Sequence, residues 1–369
     1  MKRLTLVQRE RIRKTLTLAV SLLVFAASFA AIPYIVSVIP PVTAKGMHIN
    51  DPNAPVGSGF TLGGGEAPSG NNSDTQAEES TPGTENAESE PPAADESSAA
   101  PTPTRGENDK SVFASNLCWY DKADQATLNI INHTKFNVDL NKFLAQNVNI
   151  SAKNDGVSPL VLIVHTHGSE SYLPAGVDFY AEDESFRSET YENTVVNVGD
   201  VLAERLNALG IPTVHDRTMY DTTDFNKSYT FSRAGVKKML EKYPTISFVI
   251  DLHRDSIFDA KGNNIKLLTV TDGEECAQIM LVVGTNEAGA SHPGWRDNLT
   301  FATHLQQSLN TRYPTLARPI NLRSAAFNQA LSKGSLLIEV GACGNTIEEA
   351  KNAILRFADV YAAEIGKLT

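Results

Sequence analysis

Apolar and polar residues alternate in blocks from about residue 155 onwards, in a pattern that predicts strands and helices in turn. Short apolar runs, each typical of a buried strand, occur at residues 159–164, 211–214, 246–252, 278–284 and 335–340. Amphipathic segments with a helical period lie between or after them, at residues 194–209, 232–243, 298–313 and 346–365. This alternation predicts an α/β domain whose mostly parallel sheet is covered by helices on both faces.

The N-terminal part of the chain has a different pattern. Residues 1–15 contain six basic residues and one acidic residue, and residues 16–42 contain no charged residue. Such an apolar run is long enough to cross about 30 Å of hydrocarbon, and preceding basic residues favour the cytoplasmic side. We predict a cytoplasmic flank at 1–15 and a transmembrane anchor at 16–42. A cleavable signal sequence with its cleavage site at residues 42–44 is the alternative.

Residues 43–110 are rich in Gly, Ser, Pro, Asn and acidic residues, so we predict a disordered linker. The formal net charge of −11 comes mainly from this region, because residues 51–110 hold twelve acidic and two basic residues. The rest of the chain is close to neutral and lacks the basic face that nucleic-acid binding needs. The folded, extracytoplasmic domain is predicted to cover residues 111–369.

Three of the predicted strands end in side chains that bind metals or transfer protons. The first strand is followed by HTHGSE (165–170), the third ends in DLHRD (251–255), and the fifth carries Glu339. Ligands of open α/β sheets gather at the carboxyl ends of the strands, so we expect these groups to lie close together. The three cysteines are far apart and form no CxxC pair. Any metal would therefore be bound by histidine and carboxylate ligands.

His167, Glu170 and His253 form the predicted metal site. The H-x-x-E spacing lets His167 and Glu170 converge on one ion from a single turn, and His253 supplies a third ligand from another strand end. A His-Glu-His set leaves the fourth tetrahedral position for water, which is typical of catalytic zinc, Zn²⁺. Glu339 lies at the end of an apolar strand, where burial raises a carboxyl pKa, and is the predicted general base.

Two residues are alternatives to these ligands. His165 is a candidate first ligand, a support for the site, or an outward-facing residue; Gly168 favours His167 because it permits a close approach. Glu192, near the start of the helix at 194–209, is the rival of Glu170 as the carboxylate ligand.

Charged residues around His253 are candidates for supporting roles. Asp251, Arg254 and Asp255 could orient His253, and Arg254 could instead bind a substrate carboxylate. Each could equally form an ordinary surface salt bridge. The remaining histidines have no partner pattern and are interpreted as structural or exposed: His48, His133, His215, His292 and His304.

Two common classes of hydrolase lack their motifs in this chain. There is no phosphate-binding loop and no G-x-S-x-G nucleophile elbow. Ser169 and Ser171 lie near two histidines, but no acid is placed to complete a catalytic triad.

Four blocks of the chain together resemble the stage II sporulation protein P family. They are HTHGSESYLP at 165–174, VVNVGDVLAERLNALGIPTVHD at 195–216, VIDLHRDS at 249–256 and LLIEVGACGNT at 336–346. The resemblance covers about residues 155–360, and the four blocks together are specific. The family also resembles, more distantly, the zinc N-acetylmuramoyl-L-alanine amidases.

This resemblance implies a peptidoglycan hydrolase of sporulation. It implies cleavage of the N-acetylmuramoyl-L-alanine amide and of stem-peptide cross-links during septal wall degradation and engulfment, from the mother-cell membrane. It implies as partners the lytic transglycosylase stage II protein D and the membrane scaffold stage II protein M. It also implies His167 and His253 as zinc ligands and Glu339 as catalytic residue. The amidases place their carboxylate ligand just before a helix, which favours Glu192, whereas the block at 165–174 favours Glu170.

Two rival functions remain at this point. A non-catalytic wall-binding or scaffold module would keep the fold and lose the ligands. A glycosidase would need two carboxylates flanking a sugar bond and no metal, so sensitivity to chelators separates it from the zinc hydrolase.

Overall fold

A seven-stranded sheet lies at the centre of the computed structural model, which describes residues 103–118 and 127–369. The strands are β1 Lys110–Ser111, β2 Phe113–Ser115, β3 Ile130–Asn132, β4 Val161–Val164, β5 Phe179–Tyr180, β6 Thr213–His215, β7 Phe248–Asp255, β8 Ile265–Thr271, β9 Glu274–Ala277, β10 Ile279–Gly284, β11 Ile320–Arg323 and β12 Gly334–Ala342. The helices are α1 Leu140–Leu144, α2 Val195–Ala208, α3 Ser228–Lys242, α4 Trp295–Arg312 and α5 Ile347–Gly366.

The order of strands in the central sheet is β3-β11-β10-β12-β7-β4-β6. Neighbouring strands are parallel except at the β10–β12 pair, which is antiparallel. The α/β class predicted from the sequence is confirmed. The carboxyl ends of β4, β7 and β12 lie at the same edge, because these three strands are parallel neighbours.

The pleat of β7 separates its residues between two environments. Phe248, Ile250 and Leu252 belong to the main hydrophobic core, which also contains residues of α2, α4 and α5. Val249 belongs to a smaller core on the opposite face, together with residues of α3. Helices therefore cover both faces of the sheet, and His253, in phase with Val249, lies on the face covered by α3.

A second, three-stranded sheet has the order β2-β8-β9 and was not predicted. Its β8–β9 hairpin turns at Asp272 and Gly273, whose φ angles are 53° and 80°. An Asp-Gly pair with positive φ at both residues is a strong hairpin signal. The Asp-Gly pair therefore indicates this hairpin from sequence. It lies between the third and fourth predicted strands, where no element was predicted.

The predicted flank at 1–15 and anchor at 16–42 lie outside the described residues, as does most of the predicted linker. Within residues 103–118 and 127–369, no helix is both long and apolar enough to span a bilayer. Residues near the end of the predicted linker contact the folded part: Lys110 pairs with Tyr180, and the Arg105 guanidinium lies 5.7 Å from the centre of the Phe179 ring.

Candidate active site

His167, Glu170 and His253 converge at the carboxyl ends of β4 and β7. All three side chains are fully buried, and one potential ligand atom from each lies within 4.8 Å of the others. Nδ1 of His167 is 3.5 Å from Oε1 of Glu170, and Nδ1 of His253 is 3.4 Å from its Oε2. The structure thus brings together the three residues that the sequence predicted as a metal site.

The turn after β4 fixes the positions of His167 and Glu170. The backbone N–H of Glu170 donates to the carbonyl oxygen of His167 at 3.2 Å. Between them, Gly168 packs so closely that a Cβ there would lie 2.9 Å from the backbone of Met219. The Glu170 carboxylate is held from the other side, because Oε2 accepts from the backbone N–H of Arg254 at 3.1 Å.

The electrostatics of this cluster favour a positive charge. Burial alone would raise the pKa of Glu170, but His167 and His253 hold that pKa well below its ordinary value. Burial alone would lower the pKa of His253, but Asp251 and Glu170 raise it well above its ordinary value. A cation at this point would therefore be stabilised by the same carboxylates.

The donor atoms also fit a metal ion. His167 Nδ1, Glu170 Oε1 and His253 Nδ1 are buried and have no hydrogen-bond partner among the described residues. Leaving buried polar atoms unpaired is costly, so such atoms usually have a partner. Two imidazole nitrogens and one carboxylate oxygen are a common ligand set of catalytic zinc, and one such ion would satisfy all three atoms.

Asp251 orients the far side of the His253 ring. Its Oδ1 lies 2.9 Å from His253 Nε2, while Thr166 donates to Asp251 through its backbone N–H at 2.8 Å and its hydroxyl at 2.6 Å. A carboxylate behind a metal-binding histidine fixes the ring and its tautomer. Thr166 was not predicted as a site residue, because the sequence motif gives no indication of its role.

Glu339 lies beside His253 on the neighbouring strand. The two residues are register partners in the parallel β7–β12 pair, so their side chains share one face of the sheet. Both carboxyl oxygens of Glu339 are buried without a hydrogen-bond partner in the described part of the chain. Burial, with a further contribution from the Asp255 carboxylate, raises the pKa of Glu339 to about 8. A carboxyl group with a raised pKa is suited to accept and return a proton.

The other candidate residues occupy different positions. Glu192 is exposed and lies outside the group of three, and its backbone carbonyl accepts from Asn197. Arg254 is buried, and its guanidinium donates to the backbone carbonyls of Ser171 and Phe186. The hydrogen bonds of the Arg254 guanidinium are therefore made within the protein.

Asp255 and Ser169, also considered in the sequence analysis, are held by ion pairs and hydrogen bonds. Asp255 is paired with Arg318 at 2.9 Å. Ser169 donates its hydroxyl to Asp221 at 2.5 Å, so it is not hydrogen-bonded to a histidine.

His165 points away from the cluster, towards the core under α2. Its Nδ1 lies 2.9 Å from the carbonyl oxygen of Leu252, and its Nε2 lies 2.7 Å from Nε2 of His215. His215 in turn contacts Asp200 at 2.9 Å. Burial lowers the pKa of His165 to about 3 and that of His215 to about 4. His165 therefore supports the backbone next to His253 and is outside the group of potential ligands.

Gly199 of α2 makes room for this histidine pair. A Cβ at Gly199 would lie 2.7 Å from Nε2 of both His165 and His215. Gly199→Ala is expected to lower the free energy of unfolding by about 1–3 kcal/mol through overpacking, although alanine favours helix by about 1 kcal/mol. Urea denaturation followed by circular dichroism measures the change.

The matched control is Gly366→Ala at the end of α5, where no atom lies within 4 Å of the new Cβ. We expect no loss of stability there. Equal stability of the Gly199→Ala variant and the unmodified chain would show that the histidine pair tolerates displacement.

A further segment of the chain covers His167, and no sequence motif had connected it with the site. This cover segment, residues 221–229, places the Phe225 ring in a stack on the His167 ring, with centroids 4.9 Å apart. The Tyr229 ring meets the same imidazole edge-on, with centroids 5.6 Å apart. One candidate metal ligand, His167, is thus packed against two aromatic side chains about 60 residues distant in sequence.

Arg187 ties the cover segment to the turn after β4. Its Nη1 donates to Asp221 at 2.8 Å and to the Ser169 hydroxyl at 2.9 Å. The guanidinium lies 4.6 Å from the centre of the Phe225 ring and 4.0 Å from Oε1 of Glu170. No short motif contains Arg187, so only the folded arrangement identifies it.

Two of the solved structures that match this chain are amidases, at low similarity. The N-acetylmuramoyl-L-alanine amidase AmiC2 of Nostoc punctiforme is 13% identical, with a TM-score of 0.35, covering 58% of this chain and 98% of that one. The CwlD amidase from Clostridioides difficile, solved in complex with the GerS lipoprotein, is 13% identical, with a TM-score of 0.34, covering 57% of this chain and 98% of that one.

Sequence comparison gives a more specific result. Stage II sporulation protein P of Bacillus subtilis (strain 168) is 28% identical over 219 residues, which cover 56% of this chain and 51% of that relative. The match thus spans about half the length of the relative. The family model for stage II sporulation protein P matches residues 62–362. Because that match covers far more than half of the chain, the chain belongs to the stage II sporulation protein P family.

Proposed function

We propose that the protein is a zinc-dependent peptidoglycan hydrolase that cleaves the amide bond between N-acetylmuramic acid and L-alanine, and also stem-peptide cross-links. One observation carries the proposal: the buried group His167, Glu170 and His253 lies next to Glu339, whose carboxyl oxygens have no hydrogen-bond partner in the described residues. Membership of the sporulation family supports peptidoglycan as the substrate.

Each residue of the site has a role in this proposal. Zinc held by His167, Glu170 and His253 would lower the pKa of a water molecule towards 7 and polarise the amide carbonyl. Glu339 takes the proton from the attacking water and returns it to the leaving amine nitrogen.

Two further residues support the ligands. Asp251 keeps the His253 ring in one orientation, and the backbone N–H of Arg254 keeps one oxygen of Glu170 in place. The ligands are therefore positioned before substrate binds.

We also propose that the protein acts from the mother-cell membrane, anchored by residues 16–42, with its hydrolase domain outside the cytoplasm. The lytic transglycosylase stage II protein D and the membrane scaffold stage II protein M are the proposed partners during engulfment. The resemblance of the four sequence blocks to the family supports this location and these partners.

Removal of zinc tests the proposed function. The purified full-length chain in detergent is incubated with intact peptidoglycan, with and without a zinc chelator, and released fragments are identified by mass spectrometry. We expect free stem peptides that disappear with chelator and return when zinc is added, because the site needs its metal to activate water.

A chelator already saturated with zinc is the control and should leave the release unchanged. Fragments cut within the glycan, or release that is indifferent to chelator, would contradict the zinc mechanism. No release in any sample would favour a wall-binding or scaffold module.

A further inference from the structure

Tyr229 contacts His167, one of the candidate metal ligands. It lies in the first turn of α3, and its ring meets the His167 ring at an interplanar angle of 80°. The Tyr229 ring also contacts Phe327, with centroids 5.9 Å apart. Its backbone carbonyl accepts from the Asn328 side chain at 2.9 Å. These three contacts restrict the position of the ring and therefore of its hydroxyl.

The Tyr229 hydroxyl is buried and has no hydrogen-bond partner among the described residues. Buried tyrosine hydroxyls usually find a partner, because an unpaired one costs free energy. Tyr361 also has an unpaired buried hydroxyl, but it lies in the main hydrophobic core. Tyr229 differs in that its ring lies against a potential metal ligand. Its missing partner is therefore expected to be a group that enters the site.

The chemistry of the neighbouring unpaired groups shows what kind of group is missing. Three of them, on His167, Glu170 and His253, are potential metal ligands, and Glu339 carries the acceptor oxygens for the proton of the attacking water. Tyr229 adds a hydroxyl, which is a neutral hydrogen-bond donor. The hydroxyl can also accept, but when it donates its complement is an acceptor, and the carbonyl oxygen of an amide is an acceptor that gains negative charge during hydrolysis.

We propose that Tyr229 is a further catalytic residue, whose hydroxyl donates a hydrogen bond to the carbonyl oxygen of the amide bond being cut. The proposal rests on the proposed hydrolase function and adds a substrate contact to it. The tyrosine proton stays on its oxygen throughout. Water adds to the carbonyl carbon, its proton passes to Glu339 and then to the amine nitrogen, and the carbon–nitrogen bond breaks.

This hydrogen bond would stabilise the transition state more than the bound substrate. The carbonyl oxygen becomes more negative as water adds, so a donor aimed at it gains strength at that moment. A contact of this kind raises kcat and leaves KM nearly unchanged. A tyrosine that only packed against His167 would instead be replaceable by phenylalanine without loss.

Tyr229→Phe tests the proposal, because it removes only the hydroxyl. The full-length, zinc-loaded chain and the variant are compared on a soluble N-acetylmuramoyl peptide. We expect kcat to fall by on the order of 100-fold, with KM and zinc content unchanged. A phosphinate analogue that mimics the tetrahedral carbon should bind the variant more weakly by a similar factor, since analogues report transition-state contacts.

The matched control is Tyr243→Phe, a substitution of the same kind at the residue that follows α3. It should leave kcat and phosphinate affinity at the values of the unmodified chain. A Tyr229→Phe variant with unchanged kcat and full zinc content would overturn the role of the hydroxyl and leave the hydrolase function standing. If the unmodified chain cuts no substrate, whether purified with zinc or given added zinc, both the role of Tyr229 and the proposed hydrolase function would be overturned.

Discussion

Replacement of Glu339 by glutamine is expected to reduce kcat by on the order of 1,000-fold, because general acid–base catalysis contributes about 10²- to 10⁴-fold. Glutamine has nearly the same shape but cannot take a proton from water. Its neighbours are unchanged: the residue remains opposite His253 on β12 and is still buried. Kinetics on a soluble muramoyl peptide measure the loss.

Zinc content separates this prediction from a loss of the metal site. Glu339 lies outside the group of potential ligands, so the variant should retain as much zinc as the unmodified chain. Glu348→Gln, the same change at an exposed position in the first turn of α5, is the matched control and should retain full activity. Near-normal activity of Glu339→Gln would show that another group takes the proton and that Glu339 is not the general base.

Glu170→Gln is expected to lower zinc affinity by more than about 100-fold, and activity with it. Loss of a group that merely supports a ligand costs about 10- to 100-fold in metal affinity, so loss of a ligand should cost more. The substitution would also remove the negative charge of the carboxylate that lies between His167 and His253. Competition with a fluorescent zinc indicator measures the affinity directly, without a substrate.

Two variants calibrate this measurement. Glu192→Gln tests the rival carboxylate and should bind zinc like the unmodified chain, because Glu192 is exposed and outside the cluster. Asp251→Asn should show an intermediate loss of about 10- to 100-fold, since Asp251 contacts the far side of the His253 ring. A normal affinity of Glu170→Gln together with a weakened Glu192→Gln would reverse the assignment of the carboxylate ligand.

The core of the candidate site was accessible from sequence because it depends on local and periodic signals. Continuous apolar runs located β4, β7 and β12, and parallel strands place their carboxyl ends at one edge. His167 and His253 are a few residues from those ends, and Glu339 lies near the end of its own strand. Strand prediction therefore placed these three residues at one edge of the sheet, and the H-x-x-E spacing selected His167.

The remaining parts of the site depend on contacts between distant segments. Tyr229, Phe225 and Arg187 come from segments distant in sequence and contact His167 or Glu170 only in the folded chain. A periodic sequence pattern does not predict which residues at the start of a helix will contact a given strand end. Strand direction was likewise undetermined: the apolar run of β10 is equally compatible with parallel and antiparallel pairing, and β10 is antiparallel to β12.

The cover segment constrains when the protein can acquire its metal. If His167, Glu170 and His253 hold zinc as proposed, one of its ligands, His167, is packed against the rings of Phe225 and Tyr229. The Arg187–Asp221 ion pair holds the cover segment in place. An ion enters such a site most readily before the cover has closed. Exchange of zinc in the folded chain then requires the cover segment to open locally, so the chelator and the added zinc of the release experiment should act slowly.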